Sequence, residues 1–362
     1  MKRKEILIDL YDLHEHSGFG EIERTYADIF SKLDIPDMHF NFLVKKRKYL
    51  GIYGHKVGYF LHLGIYKKFP SLMLRHFDLW HSVHQLYRDC PRNKSTKRIL
   101  TIHDLNFLYE KEECKSQKYM DALCDKINNA HYLVAISNFA KNEVLNNCKI
   151  KEDKPFDVIL NGVRDTSNDN RIKPSFVKPD RKFLCAIGAV REKKNIHILL
   201  DMMKFLPEYE LYICGSELGD YPKRLRERIK NEKIENITMA GIITDEEKNW
   251  LYANMEALMF PSRLEGFGLP IIEAMHFKKA VFSSPYSSLP EICSTHAYIW
   301  KELEPEYMAT LVREKISEFY ADSSRAEAEK EYANSYSYER HIKAYIALYR
   351  KMLGLPEMEI NL

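Results

Sequence analysis

The chain has 362 residues, 45% of them hydrophobic and 30% charged, with a formal net charge of +3. That length exceeds one ordinary core and predicts two domains of a soluble globular protein. No apolar run approaches the ~18 residues that span a bilayer, and seven scattered cysteines without a C-x-x-C pair argue against a disulfide frame or a zinc site.

Residues 6–10 read as a buried first strand, because Asp9 breaks the apolar stretch too early for a signal peptide. A cytoplasmic location is therefore expected. Ser17-Gly18-Phe19-Gly20 follows, then an amphipathic helix over 22–33. The glycines would let a diphosphate or an acceptor approach the backbone, or would simply turn the chain. The full G-x-G-x-x-G pattern is missing because Glu23 stands at the third glycine position, which weakens a nicotinamide reading.

Between Phe40 and Phe77 there is no Asp or Glu, while Lys45, Lys46, Arg47, Lys48, Lys56, Lys67, Lys68 and Arg75 alternate with aromatics and aliphatics. An anionic membrane surface, a nucleic-acid surface and a solvated face over core aromatics would all use this pattern. No nucleic-acid module accompanies residues 40–77, so nucleic acid is not an expected partner. Membrane contact is the favoured reading.

Further strands are predicted at 79–83, 98–103, 132–136 and 157–160, with Ser137 as a helix N-cap. His103-Asp104 closes the second of these strands, where a sheet commonly meets its ligand. No G-x-S-x-G elbow supports a triad, and the histidines lack metal-ligand spacing. The polar stretch 163–182 reads as a connection between domains.

A second alternating series then begins. Strands are predicted at 183–187, 210–214, 237–240, 257–260 and 280–283, with helices at 195–206, 223–231 and 245–254. Asn195 is expected to cap the first of these helices. Both halves look like doubly wound parallel sheets. The tail carries Tyr338, Ile342, Tyr345, Ile346 and Tyr349 at helical spacing. Gly188 ends a strand ahead of Arg191-Glu192-Lys193-Lys194-Asn195, and cations entering a helix N-terminus hint at a bound anion, since the macrodipole disfavours them there. A solvated charged loop is the plainer alternative.

The run from Pro261 to Met275 is the most informative. Glu265 and Glu273 flank Gly266-Phe267-Gly268-Leu269, and Pro270 suits a first helical position. Such a loop offers main-chain N–H groups to a diphosphate, while the carboxylates accept from hydroxyls. Together these describe a nucleotide sugar.

In this order the segments resemble retaining glycosyltransferases of family four, the glycosyl transferases group 1. The resembling stretches are 17–20, 101–105, 135–139, 159–163, 188–195, the Glu265/Glu273 E-x7-E pair, and Ser287-Ser288-Leu289-Pro290-Glu291 of mannosyltransferase-like members. The resemblance implies a GT-B fold, with two doubly wound Rossmann-like α/β domains facing an interdomain cleft. It divides the chain into an acceptor-binding domain (1–165), a donor-binding domain (166–335) and a last helix (336–362) crossing back to the first.

It further implies Glu265, Lys194 and His103 as catalytic residues. Glu265 would stand by the transferred sugar, Lys194 at the diphosphate and His103 at a donor-sugar hydroxyl. Glu273 would hold the ribose hydroxyls; Gly266, Phe267, Gly268, Leu269, Lys193, Arg191 and Gly188 would complete the donor site. Gly18, Phe19, Gly20 and Asp104 would serve the acceptor or a phosphate. Many members carry arginine after the glycine corresponding to Gly188; here it is Ala189, so either Arg191 or Lys193 would supply the second cation, Lys193 being favoured beside Lys194, or the site would work with one fewer.

The implied reaction moves a hexose, with GDP-mannose favoured as donor, to a glycan or lipid-linked hydroxyl in surface polysaccharide synthesis. No metal or other cofactor is expected, and the enzyme would be peripheral on the inner face of the membrane. A nucleotide-sugar epimerase of the same fold and a non-catalytic sugar-binding subunit are the alternatives. A phosphorylase-like enzyme lacks its pyridoxal phosphate lysine motif.

Overall fold

The computed structural model describes residues 3–13, 18–65, 69, 75–85, 93–360 and 362. Ser17, Tyr66, Lys67 and Lys68 lie outside the described residues. Two compact units divide the chain: residues 1–160 with 342–362, and residues 161–341.

The first unit is built on seven parallel strands: β1 (Lys4–Asp9), β2 (Met38–Val44), β3 (Gly58–Leu61), β4 (Leu79–Ser82), β5 (Lys97–Ile102), β6 (Tyr132–Ala135) and β7 (Phe156–Val158). Their order is β3-β2-β1-β4-β5-β6-β7, which reverses direction between β1 and β4. Ile6, Leu7 and Ile8 are wholly buried, as a parallel sheet covered on both faces requires. Gly18-Phe19-Gly20 opens the helix Gly18–Lys32, so the expected glycine loop is corrected to a first helical turn.

Strands β2 and β3 were not anticipated, and they fall inside the basic–aromatic stretch. Phe42 is fully buried, with the rings of Tyr53 and Tyr59 each edge-on to it at 6.1 Å. The apolar run that a buried parallel strand would show is interrupted in β2 by His39 and Asn41. The Asn41 side chain is itself buried, donating to Glu5 Oε2 at 2.9 Å and accepting from Arg75 at 2.6 Å. Residues 40–44, Val57 and Phe77 of the stretch are therefore core. Leu50, Ile52, Leu63, Ile65 and Phe69 nevertheless remain exposed, as do Lys46, Arg47, Lys48 and Lys56.

From residue 342 the helix Tyr338–Leu353 belongs to the first unit. Its helical apolar spacing buries Ile342, Tyr345, Ile346 and Tyr349 completely. The two tyrosine hydroxyls, which burial alone would leave unpaired at a penalty, join one chain of hydrogen bonds. Tyr349 meets His81 Nδ1 at 2.7 Å, His81 Nε2 meets Thr101 at 2.8 Å, and Thr101 meets Tyr345 at 2.8 Å. Cys124 and Cys148 are bonded to each other. Packing of the helices Glu113–Asn129 and Asn138–Asn147 in one core cluster brings these cysteines together, a single pair that the sequence reading did not anticipate.

The second unit carries six parallel strands: β8 (Lys182–Ile187), β9 (Tyr209–Cys214), β10 (Ile237–Gly241), β11 (Ala257–Phe260), β12 (Ala280–Ser283) and β13 (Tyr298–Ile299). Their order, β10-β9-β8-β11-β12-β13, reverses between β8 and β11. The helix Asp245–Asn254 lies where expected, closed by a capping box between Thr244 and Glu247. The polar stretch 163–182 packs within this unit: Val163 and Val177 are buried, and the Val163 N–H donates to Tyr336 O at 2.7 Å. The helices Pro305–Ala321 and Ser323–Asn334 were not anticipated. Met308, Val312 and Phe319 from the first of them complete the core around Trp300.

Candidate functional site

In open α/β sheets the loops at a strand-order reversal diverge, leaving room for a ligand at the carboxyl ends of the strands. In the second unit that place lies beyond β8 and β11. Gly188, at the end of β8, has φ +136°, which an L side chain would strain to adopt. Its carbonyl oxygen would lie only 2.0 Å from a Cβ on Gly215. Gly215 is thus a requirement that the sequence reading missed.

Glu192–Lys194 forms one turn of 3₁₀ helix ending at Asn195, whose φ is +56°. Asn195 is the left-handed residue that stops this turn, which corrects its expected role as an N-cap. The next helix, His197–Met202, is preceded by Ile196 and has no side-chain cap. Lys193 and Lys194 sit in the last turn of the 3₁₀ segment, where the dipole favours cations. They are thus not at a helix N-terminus, and the macrodipole argument made from the sequence does not apply to them. Arg191 is exposed.

Lys194 and Glu265 form an ion pair, with side chains only 16% and 12% exposed. The ammonium also lies 5.1 Å from the centre of the Phe260 ring. The loop after β11 is tied to the loop after β8 by the Arg263 N–H, which donates to Lys193 O at 2.8 Å. Ser287 Oγ accepts from the Glu265 N–H at 3.0 Å, while Ser288 Oγ donates to Glu265 O at 3.0 Å and Phe267 O at 3.2 Å. These serines clamp the backbone that carries Glu265. Nothing local in the sequence signals the clamp.

Gly268, with φ +104°, is the N-cap of the helix Leu269–His276, and Pro270 stands in its first turn. A Cβ here would meet Leu289 Cδ2 at 2.9 Å. The glycine therefore serves both the left-handed turn and the close approach of the helix at 289. Phe267 is buried against Tyr336, ring centres 5.8 Å apart, so only its main chain faces the loop. Glu273 lies one turn into the helix. Its Oε2 accepts from Tyr252 Oη at 2.6 Å, and its Oε1 is 3.5 Å from Lys248 Nζ. Both partners come from the helix Asp245–Asn254 and escaped the sequence reading.

In the first unit the reversal between β1 and β4 gathers Phe19, His84 and His103. The Phe19 ring stands edge-on to His84 at 4.4 Å and to His103 at 4.8 Å. His103 Nε2 donates to Val83 O at 2.7 Å, and burial pulls its pKa down to about 4. The ring is therefore neutral near pH 7, with Nδ1 as its acceptor. Burial, with help from His103 and Lys126, lowers His84 to about 3. Gln85, also missed, holds the strand end by accepting from the His103 N–H at 3.0 Å and donating to Asp104 O at 2.8 Å. Asp104 Oδ1 accepts from the Asn106 N–H at 3.0 Å. Among the described residues no group of three or more His, Cys, Asp or Glu side chains is arranged to hold a metal ion.

Two doubly wound parallel sheets with these strand-end loops define a GT-B protein. The profile of glycosyl transferases group 1 matches residues 167–336, and the second unit belongs to that family. The serotype-specific mannosyltransferase WbdA of Escherichia coli is 28% identical over 227 residues, covering 55% of this chain and 27% of that protein. The chain thus spans about a quarter of that relative's length. An uncharacterized glycosyltransferase of Methanocaldococcus jannaschii is 25% identical over 285 residues, covering 76% of each chain. Among solved structures, Anabaena Alr3699/HepE in complex with UDP and glucose shares the fold, with a TM-score of 0.74 and 16% identity over 96% of this chain and 99% of that one.

Proposed function

We propose that this chain is a retaining glycosyltransferase that moves a hexose from a nucleoside diphosphate sugar to a hydroxyl of a glycan or lipid-linked acceptor in surface polysaccharide synthesis. The observation that carries this reading is the Lys194–Glu265 pair at the sheet's reversal point, beside the first turn of the helix Leu269–His276. It sets one cation and the main-chain N–H groups of Phe267, Gly268 and Leu269 beside a carboxylate suited to hydroxyls. The segment Ser287–Glu291 and the mannosyltransferase relative support GDP-mannose as donor.

In the proposed reaction the acceptor oxygen attacks the anomeric carbon from the side the diphosphate leaves. The bond to diphosphate breaks, the glycosidic bond forms, and the acceptor proton passes to a diphosphate oxygen. Lys194 and the N–H groups meet the charge developing on the leaving group, so the proposed chemistry needs no metal. His103, neutral, accepts from a sugar hydroxyl through Nδ1. Glu273, oriented by Tyr252 and Lys248, accepts from the ribose hydroxyls.

Glu273→Ala should then raise the dissociation constant for the donor nucleotide by about tenfold or more, the loss of a charge-assisted hydrogen bond. Turnover at saturating donor should change little. Calorimetric titration with nucleoside diphosphates reads the first and initial rates the second; unaltered affinity would remove the ribose role.

The proposal extends to an anionic membrane surface, on which a cytoplasmic enzyme would reach a lipid-linked acceptor. It rests on the exposed cations and apolar side chains between residues 46 and 69. Co-sedimentation with phosphatidylglycerol vesicles should exceed that with phosphatidylcholine and fall with salt. Replacing Lys46, Arg47 and Lys48 by glutamate should abolish the difference. Equal binding to both vesicles, or none, removes membrane docking from the proposal.

A further inference from the structure

Glu217 lies just beyond the end of β9, beside the end of β10. The Gly215 N–H donates to Gly241 O at 2.7 Å, locking the two strand ends together. Glu217 Oε1 stands 3.9 Å from the point a Cβ on Gly241 would occupy, and no other atom comes within 4 Å of that point. The carboxylate therefore hangs over an open glycine backbone.

Its orientation is held from the helix Asp220–Asn231. Arg226 Nε donates to Oε2 at 2.8 Å and Nη2 to Oε1 at 2.7 Å, and Nη2 also donates to Met239 O at 2.9 Å. A bidentate arginine uses one lone pair on each oxygen and leaves the others available. Next in the chain to Glu217 and to Gly241 are two apolar side chains that the core does not use: Leu218 is 69% exposed and Ile242 is 80% exposed. The chain then runs through the Thr244 cap into the helix whose Lys248 and Tyr252 reach Glu273.

We infer that Glu217 selects guanine in the bound donor nucleotide, with Arg226 as its positioning residue and Leu218 and Ile242 against the faces of the base. The assignment rests on the donor-site reading above, which puts the ribose at Glu273. A guanine edge presents two neighbouring donors, N1–H and the exocyclic amine, to a carboxylate. Uracil offers a single N–H between two carbonyl oxygens, which the carboxylate repels. Adenine sets a ring lone pair beside its amine, again facing negative charge. The same group that accepts from guanine thus acts against the other bases, and specificity comes from both effects.

The test is calorimetric titration of the full chain and its Glu217→Gln variant with GDP, UDP and ADP. The unaltered chain should bind GDP at least about tenfold more tightly than UDP or ADP. The variant should lose about tenfold in GDP affinity, the worth of one charge-assisted hydrogen bond, while UDP affinity holds or rises as the repulsion of its carbonyl oxygens is relieved. Retained UDP affinity also shows that the variant folds. Three results overturn the assignment: tighter binding of UDP or ADP than of GDP by the unaltered chain, equal losses for all three nucleotides, or no loss for GDP. Each of these leaves the donor site standing. Failure of the unaltered chain to bind any nucleotide overturns the donor site and this assignment with it.

Discussion

Lys194→Ala should lower turnover by about 10²–10³-fold, the usual effect of removing one preorganised group that meets charge developing in a transition state. The donor's KM should move much less, because the ammonium acts most strongly once the diphosphate begins to leave. The same substitution has a second consequence. Glu265 is only 12% exposed and pairs with Lys194, so its carboxylate would be left uncompensated at a cost of about 3 kcal/mol. A fall in melting temperature should accompany the fall in rate.

Lys194→Arg separates the two effects. It restores a cation for Glu265 and hence much of the thermal stability. The longer, planar guanidinium spreads its charge and does not reproduce the compact point charge that Lys194 presents to a leaving diphosphate, so turnover should stay low. Initial rates with a nucleotide sugar and thermal unfolding of both variants measure this. Turnover of Lys194→Ala within about threefold of the unaltered chain would sink the catalytic role, since the expected effect is far larger.

Glu329→Gln should stabilise the protein at alkaline pH. Glu329, on the helix Ser323–Asn334, is 1% exposed, and neither carboxylate oxygen makes a hydrogen bond. Arg325 Nε approaches Oε1 at 3.4 Å, but that guanidinium also stacks over the Tyr298 ring at 4.3 Å. Burial outweighs the arginine and raises the carboxyl pKa from 4.5 to about 8. The folded state therefore holds a proton that the unfolded chain releases above pH 4.5. The contribution of this group is fully favourable below that value and is lost progressively as pH rises through about 8.

A shift of this size corresponds to a loss on the order of 3–5 kcal/mol across that interval. Glutamine keeps the shape and carries no titrating proton. Melting curves from pH 5 to 9 should therefore show a steep decline for the unaltered chain and a shallower one for the variant. Near pH 8.5 the variant should melt roughly 5–10 °C higher, on the usual conversion for a domain of this size. A variant less stable at every pH would mean that Arg325 and Glu329 form a stabilising ion pair instead.

Much of the fold was legible because its signals are local. The runs that became β8, β11 and β12 are short, apolar and bounded by turns, and the helix Asp245–Asn254 has its cap and acidic first turn written together. Gly268-Leu269-Pro270 likewise marks a helix start within three residues. Strand β2 was hidden because His39 and a buried Asn41 interrupt its apolar run, and that asparagine is tolerable only through Glu5 and Arg75. Asn195 was misread because asparagine suits both an N-cap and a left-handed stop, and only the backbone decides between them.

The candidate site divides in the same way. From sequence alone came the two acidic residues, the glycines between them, Lys194 and His103, since spacing and residue type carry that information. Tertiary structure alone decided what holds them. Lys194 meets Glu265 across 71 residues, Ser287 and Ser288 grip the Glu265 backbone, Tyr252 orients Glu273, and Val83 sets the tautomer of His103. Each is a single polar contact between distant segments. No periodicity or propensity encodes such a contact, because its geometry exists only after the sheets have brought the strand ends together.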